Sequence, residues 1–196
     1  MNAISLPASS VPASVVQTIS DEVLLDRLRG GESAAGETLV KRHCQPLLRY
    51  LQRLCGDDHL AEEFHQQTWL SVMDHIDRFT ASGGGGFKAW LFRIATNKAH
   101  DYWRSRGRER NAHDGLRLVT DDISPDASVR LDGSEQEQRL KRAIEKLPHA
   151  QREVLLMRYY SNMKFVDIAQ TLGCPLNTAL GRMHKAMLKL KELMND

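Results

Sequence analysis

The stretch FKAWLFRIATNKAHDYWRSRGRER, from Phe87 to Arg110, constrains the fold more than any other part of the chain. It holds five of the twelve aromatic residues (Phe87, Trp90, Phe92, Tyr102, Trp103), seven Lys or Arg and only two acids, Asp101 and Glu109. At helical spacing Leu91, Ile94, Ala95, Ala99 and Tyr102 line up as one apolar stripe. Arg93, Asn97, His100 and Arg104 recur at i, i+4, i+7 and i+11 on another face. The spacing predicts a long helix with one side packed and another side available for contact. Cations interleaved with flat rings suit an unpaired nucleic-acid strand, because phosphates meet Lys and Arg while bases stack on aromatic faces at roughly 1–3 kcal/mol each. Trp90, Phe92 and Tyr102 are expected in the core, so the contact falls to the polar stripe and its approach loop.

Charge distribution supports two such contacts. The whole chain carries a formal charge of only +2, but residues 84–110 sum to +5, residues 111–136 to −4 and residues 137–196 to +5. Two basic blocks around an acidic connector fit a protein that touches a polyanion twice. A chain of 196 residues with 41% hydrophobic content suffices for one ordinary domain or two small ones.

Cys44, Cys55 and Cys174 are odd in number and form no CxxC, which argues against a disulfide framework and for reduced thiols in the cytoplasm. His43, His59 and His65 lie near the first two without a zinc spacing, so no metal and no cofactor are expected. No charged residue precedes Asp21, and Pro7 and Pro12 interrupt the Ala/Ser/Val background. Residues 1–19 therefore read as a disordered lead-in, with neither an export signal nor a membrane insertion.

From Ser20 onward the pattern is helical. Ser20 with Asp21 and Glu22 makes a helix start, followed by Val23, Leu24, Leu25 and Leu28 on the buried side up to Gly30-Gly31. A second helix over Ser33 to Cys55 has Leu39, Val40, His43, Leu47, Leu48, Leu51 and Leu54 on its inner face, and Pro46 predicts a kink or interruption. A third opens at Asp57-Asp58, with Leu60, Phe64, Leu70, Met73 and Ile76 expected inside and Glu62, Glu63, Gln66 and Gln67 outside. Taken alone, that acid and amide face reads as solvated. Gly83 to Gly86 form a four-glycine loop before the basic-aromatic helix, able to take positive φ or to approach a ligand closely. The loop lacks the GK[ST] ending of a phosphate-binding P-loop.

Periodicity lapses between Arg110 and Gly133, where five aspartates accompany Pro125, as in a flexible linker. Beyond it Leu140, Ile144 and Leu147 mark a helix, Pro148 a junction, and HAQREVLLMRYY another helix. Val166, Ile168, Ala169 and Leu172 then pack a short helix, Gly173 turns the chain, and Pro175 starts a longer helix to Leu193. A small residue, a glycine turn and a second helix with a polar, basic exposed face make a helix-turn-helix pattern. Asn177, Thr178, Arg182 and Lys185 fall on that face, where Arg can read guanine in a major groove and groups near the helix start can hold a phosphate.

Three segments, in order and spacing, resemble the bacterial extracytoplasmic-function (ECF) sigma factors, short members of the sigma-70 family, over nearly all of Ser20 to Met194. DDHLAEEFHQQTWLSVM is similar to the family's DxAEDLxQETFLRVW, and FKAWLFRIATNKAHDYWRSR to FRAWLxRIAxNxAxDxxRxR. LPHAQREVLLMRYYSNMKFVDIAQTLGCPLNTALGRMHKA is similar to LPxxxREVxxLRyxegxSyeEIAexLGxSxGTVkSRLxRA. The resemblance implies an all-α fold of two small helical domains joined by a flexible linker: a sigma region 2 domain at 20–110, an acidic linker at 111–134 and a sigma region 4 domain at 135–194. It implies a non-enzymatic subunit that gives core RNA polymerase its promoter recognition, restrained by an anti-sigma factor. Glu62, Glu63, Gln66, Gln67 and Trp69 would then dock on the polymerase, which reverses the solvated-face reading. Phe87, Lys88, Arg93, Asn97, His100 and Arg104 would take the minus-ten element and its melted strand, and Asn177, Thr178, Arg182 and Lys185 the duplex minus-thirty-five element. The chain departs from the pattern at His65, Gln67 and Leu180-Gly181. The competing reading is a helix-turn-helix regulator that binds duplex DNA without joining the polymerase, and it gives no reason for the Phe87 to Arg110 helix. A DNA-processing enzyme would need clustered carboxylates or a metal set near that helix, where only Asp101 lies.

Overall fold

The computed structural model describes residues 19–80, 85–113 and 135–195, which form helices joined by short turns, with no strand among them. The first block comprises α1 (Asp21–Arg29), α2 (Ser33–Cys55), α3 (Asp58–His75), a 3₁₀ turn (Ile76–Arg78) and α4 (Gly86–His113). The second comprises α5 (Glu135–Glu145), α6 (His149–Ser161), α7 (Phe165–Thr171) and α8 (Leu176–Asn195). The expected lead-in up to Thr18, Gly83-Gly84 of the glycine loop and linker residues 114–134 lie outside the described residues. The linker's expected first residues, Asn111 to His113, continue α4.

Ser20 stands at the start of α1 in an extended conformation and accepts a hydrogen bond from the Val23 N–H at 3.4 Å. Asp21 ties α1 to α2, its carboxylate pairing with Arg42 and lying 2.7 Å from His43 Nε2. Burial pushes the Asp21 carboxyl up, but the hydrogen bonds and charges of His43 and Arg42 outweigh it and leave the group below its ordinary value. Of the kink or interruption expected at Pro46, the interruption is absent, since α2 runs unbroken through it. It lacks the N–H that would reach the Arg42 carbonyl, a cost of about 3 kcal/mol in an isolated helix. Leu39, His43, Leu47, Tyr50, Leu51 and Leu54 are buried on both sides of it, and that packing outweighs one missing bond.

Helices α2 and α3 form the centre of the first block, with α1 and α4 against them. Tyr50, Phe87, Leu91, Phe92 and Ala95 bring α4 into the same core. The second block does not stand apart: α6 packs on α2 and α7 on α4, and Val154, Leu156, Met157, Met163 and Ile168 join the first block's core. Arg152, almost fully buried, donates to the carbonyls of Ile144 (3.1 Å), Leu147 (3.1 Å) and Glu145, fixing the turn between α5 and α6. A smaller core of Ala143, Leu147, Leu155, Ala186 and Leu190 holds α5 and α8 on α6.

The α7–α8 turn has the predicted grammar. Gly173 sits at φ 60°, its N–H bonded to the Gln170 carbonyl at 3.2 Å, and the Cys174 N–H reaches the Ala169 carbonyl at 2.9 Å. That pair is a Schellman close, which needs a residue at ease in the left-handed region. The Pro175 carbonyl then receives the N–H groups of Thr178 and Ala179 and opens α8.

Candidate nucleic-acid interface

Helix α4 divides its residues as the stripe predicts, with corrections. Arg93, Asn97 and Arg104 are exposed, and the side chains of Arg93 and Asn97 have no partner among the described residues. Arg104 pairs loosely with Asp101 at 3.3 Å. Phe87 is a core residue instead of a contact: it is 1% exposed, with its ring centroid 5.6 Å from that of His43, 6.2 Å from Phe79 and 5.9 Å from Trp90. It anchors the start of α4 as an apolar wedge. Lys88 and His100 turn toward the second block, Lys88 Nζ donating to the Ser161 carbonyl at 3.0 Å and His100 Nε2 hydrogen-bonding the Glu153 carboxylate. Four residues expected to face one ligand thus divide, Arg93 and Asn97 toward solvent and Lys88 and His100 toward α6.

The glycines before α4 are needed where they are described. Gly85 and Gly86 have φ of 77° and 63°, and a Cβ on Gly85 would stand 2.5 Å from that of Ala89 and 3.3 Å from Asp167 Cβ on α7. The loop therefore reaches α4 through a backbone that side-chain-bearing residues rarely adopt.

Tyr50 holds α4 in register. Its hydroxyl lies 2.8 Å from Thr96 Oγ1, and Thr96 Oγ1 donates to the Phe92 carbonyl at 2.8 Å, so the phenol is the donor of the pair. Burial, then the nearby charge of Glu153, raise the Tyr50 phenol well above its ordinary value, which keeps that donor in place.

The predicted α3 face is on the surface. Glu62, Glu63 and Gln66 are exposed, and Gln67 donates to Glu63 Oε1 at 2.9 Å. Trp69 is half-buried, its indole N–H donating to His65 Nε2 at 3.1 Å. Burial lowers the His65 pKa more than the Cys44 carbonyl raises it, favouring the neutral ring, whose Nε2 either accepts from Trp69 or donates to the Cys44 carbonyl at 3.2 Å. Leu70 and Met73, expected in the core, are 59% and 62% exposed. With Glu62, Gln66 and Trp69 they lie at i, i+4, i+7, i+8 and i+11, on one side of the helix. Beside them Val40, Trp69, Val72, Met73 and Ile76 line a largely apolar groove between α2 and α3. Sequence reasoning missed these apolar members of the face, because an apolar residue at helical spacing reads as core.

On α8, Asn177, Thr178 and Lys185 are exposed and Arg182 half-buried, without ion pairs among the described residues. Ala179 and Ala186, on the other side, are fully buried. Among the described residues no helix is long and apolar enough to cross a membrane.

The helical chain thus carries one basic polar stripe on a long helix and a second on a helix-turn-helix, a pattern found in DNA-binding proteins. Residues 39–109 match the family Sigma-70 region 2, and residues 137–190 match Sigma-70, region 4. The ECF RNA polymerase sigma factor EcfG of Rhodopseudomonas palustris is 32% identical over 141 residues, 72% of this chain and 75% of the relative. The RNA polymerase sigma-H factor of Pseudomonas aeruginosa is 26% identical over 176 residues, 85% and 89% of the two chains. Among solved structures, the sigma factor RpoE in complex with the anti-sigma factor NepR from Bartonella quintana matches with a TM-score of 0.66 and 28% identity, over 81% of this chain and 96% of that one. The chain belongs to the ECF sigma factors of the sigma-70 family.

Proposed function

We propose that this sigma factor binds core RNA polymerase through α3 and carries it to promoters with two DNA contacts, the α4 stripe on the minus-ten element and the start of α8 on the minus-thirty-five element. The observation that carries the reading is the pairing of two separate sets of polar side chains without partners among the described residues, Arg93 and Asn97 on α4 and Asn177, Thr178, Arg182 and Lys185 on α8. A regulator that bound duplex alone would use the second set and leave the first without a task. Each contact by itself is weak, but a shared platform makes the second intramolecular and raises avidity by roughly 10²–10⁴.

The docking surface comprises Glu62, Glu63, Gln66, Gln67 and Trp69, to which Leu70 and Met73 add the apolar area that fixed carboxylates lack. At the minus-ten element Asn97 is the hydrogen-bonding amide for an extruded base, with Arg93 and Arg104 for its phosphates. Lys88 and His100 join them once α6 moves off. Residues 20–110 and 135–194 act in this reading as two domains that separate on the polymerase, with 111–134 as the tether and 1–19 outside the machinery. An anti-sigma factor is a further expected partner, as it is for the Bartonella quintana relative. The reading assigns the chain no catalytic step and places it in the cytoplasm.

Asn97→Ala and Arg182→Ala separate the roles. Asn97→Ala should leave binding to double-stranded promoter almost unchanged while impairing strand opening, and a pre-melted template should restore transcription. Arg182→Ala should weaken duplex binding by about 1–3 kcal/mol, as for loss of a bidentate base contact, with less rescue by pre-melting. Permanganate footprinting beside filter binding, with core polymerase present, measures both. Two variants that fail alike on duplex and pre-melted DNA, or no promoter-specific transcription from core polymerase plus the native chain, would overturn the reading.

A further inference from the structure

We propose that His100, His149 and Glu153 form a binding site for a divalent transition-metal ion of the zinc class, which joins α4 of the first block to α6 of the second. One ligand atom from each of the three lies within 4.8 Å of the others. The Glu153 carboxylate hydrogen-bonds His100 Nε2, and its Oε1 is 3.5 Å from His149 Nδ1. Two imidazoles and a carboxylate are a donor set that suits zinc, nickel and cobalt and leaves a position for water.

Three features separate this cluster from an ordinary surface group. Glu153 is only 5% exposed, and its ion-pair partners among the described residues are the two imidazoles alone. The neighbouring Arg152 spends its guanidinium on the carbonyls of Ile144, Glu145 and Leu147. A carboxylate removed from water needs positive charge nearby, and a dication meets that need more fully than a shared proton. The rings are also held: Trp103, almost buried, packs edge to face on His149 at 4.5 Å between centroids, and His100 lies 5.4 Å from His149. Finally, both imidazoles keep part of their surface in solvent, which leaves an entry path.

The geometry requires only small adjustment. Ligand atoms bound tetrahedrally at about 2.0–2.1 Å stand about 3.3 Å apart, close to the present separation of His149 Nδ1 and Glu153 Oε1. His100 must withdraw slightly from the carboxylate to admit the ion, and its ring proton moves to Nδ1 by exchange with water as Nε2 becomes a ligand. The sigma-factor segments that this chain resembles leave positions 100 and 149 open and carry Glu at position 153. Bound there, the ion ties α6 over Lys88 and His100 and favours the packed arrangement of the two blocks.

Titration of the tag-free full-length chain with Co²⁺, without polymerase or DNA, tests the site independently of the promoter reading. One equivalent should produce the visible absorption of cobalt in a four- or five-coordinate protein site, and Zn²⁺ should displace it. Disturbing even an outer partner of a metal ligand costs about 10–100-fold in affinity, so His100→Gln on α4 and His149→Gln on α6 should each weaken binding by at least about tenfold. Zn²⁺ should raise the thermal midpoint of the native chain and not that of His149→Gln. Glu153→Gln should abolish the signal; where that variant fails to fold, the two histidine variants decide. No cobalt bands at stoichiometric metal, or binding that both histidine variants retain, would overturn the proposal and leave the triad as a proton-sharing contact.

Discussion

The Tyr50–Thr96 hydrogen bond allows a test in which two conservative variants should differ in a direction fixed by the geometry. The Thr96 hydroxyl has one proton, which goes to the Phe92 carbonyl, so Tyr50 donates and Thr96 accepts. Both side chains are at most 2% exposed, so neither group can turn to water. Tyr50→Phe removes the donor and leaves a hydroxyl oxygen whose own proton is still satisfied, which should cost about 0.5–1.5 kcal/mol. Thr96→Val keeps the shape but strands a buried phenol O–H, which should cost about 1–3 kcal/mol. In the double variant both polar groups are gone, so it should be more stable than Thr96→Val alone, with a coupling of about 1 kcal/mol or more. Urea unfolding followed by far-UV circular dichroism reads these values, with an unchanged slope showing that the unfolded state is not altered. In a chain of this size each kcal/mol moves the thermal midpoint by about 2–4 °C. Strictly additive losses, or Tyr50→Phe proving the worse single variant, would refute the assignment of donor and acceptor.

Leu70→Asp with Met73→Asp should leave stability within about 0.5 kcal/mol, since both side chains are exposed. It should weaken core-polymerase binding by about 1–2 kcal/mol per residue, scaled from full burial of such side chains; unchanged co-purification with core enzyme would remove them from the docking face. Cys55 is fully buried, and burial, then the charge of Asp57, push its thiol up to about 12. A thiol reagent at neutral pH should therefore modify the half-exposed Cys44 and Cys174 in the native chain and spare Cys55 until urea is added, which mass spectrometry would show. The His65 pKa lies below its ordinary value because burial disfavours the imidazolium. The unfolded chain then takes the proton first, so the contribution of His65 is full above about pH 6.5 and is lost as pH falls through the lower folded value. The urea midpoint of His65→Gln should fall less than that of the native chain between about pH 7.5 and pH 5.5; equal falls would place the acid sensitivity elsewhere.

Helix starts, the glycine turn and the exposed face of α8 were legible in the sequence because each depends on residues within one or two turns of each other. Ser20, Asp57 and Gly173 act as their types suggest. Periodicity was less informative about which apolar residues face inward. Val23, Val40, Leu70, Met73 and Val166 fit an inner stripe by spacing and are exposed, because a helix with apolar residues around much of its circumference buries only the side its neighbours cover. Phe87 shows the opposite error, as an aromatic placed among cations reads as a contact while His43 of α2 and Phe79, just past the 3₁₀ turn, pack against its ring. Nothing in the sequence brings His100 to His149 and Glu153, since metal spacings are recognisable only where ligands are local in the chain.

The contacts that join the two blocks draw on the groups proposed for the minus-ten element. Lys88 gives one of its N–H groups to the Ser161 carbonyl and His100 gives Nε2 to Glu153, so those two donors are withheld from a phosphate or a base while α6 is packed on them. Under the proposed minus-ten contact, the free energy that closes α6 over α4 would oppose promoter binding to the extent that those donors are needed there, and a ligand shifts the balance only by its difference in affinity for the two arrangements. Core polymerase can supply that difference if α3 and the second block bind it at positions that α6 cannot span while packed on α2. A metal ion on the His100, His149 and Glu153 triad acts in the opposite sense, because its ligands come together only in the packed state. The two proposals are thus linked through one equilibrium, and occupancy of the metal site should weaken engagement with polymerase by the same factor by which polymerase weakens metal binding.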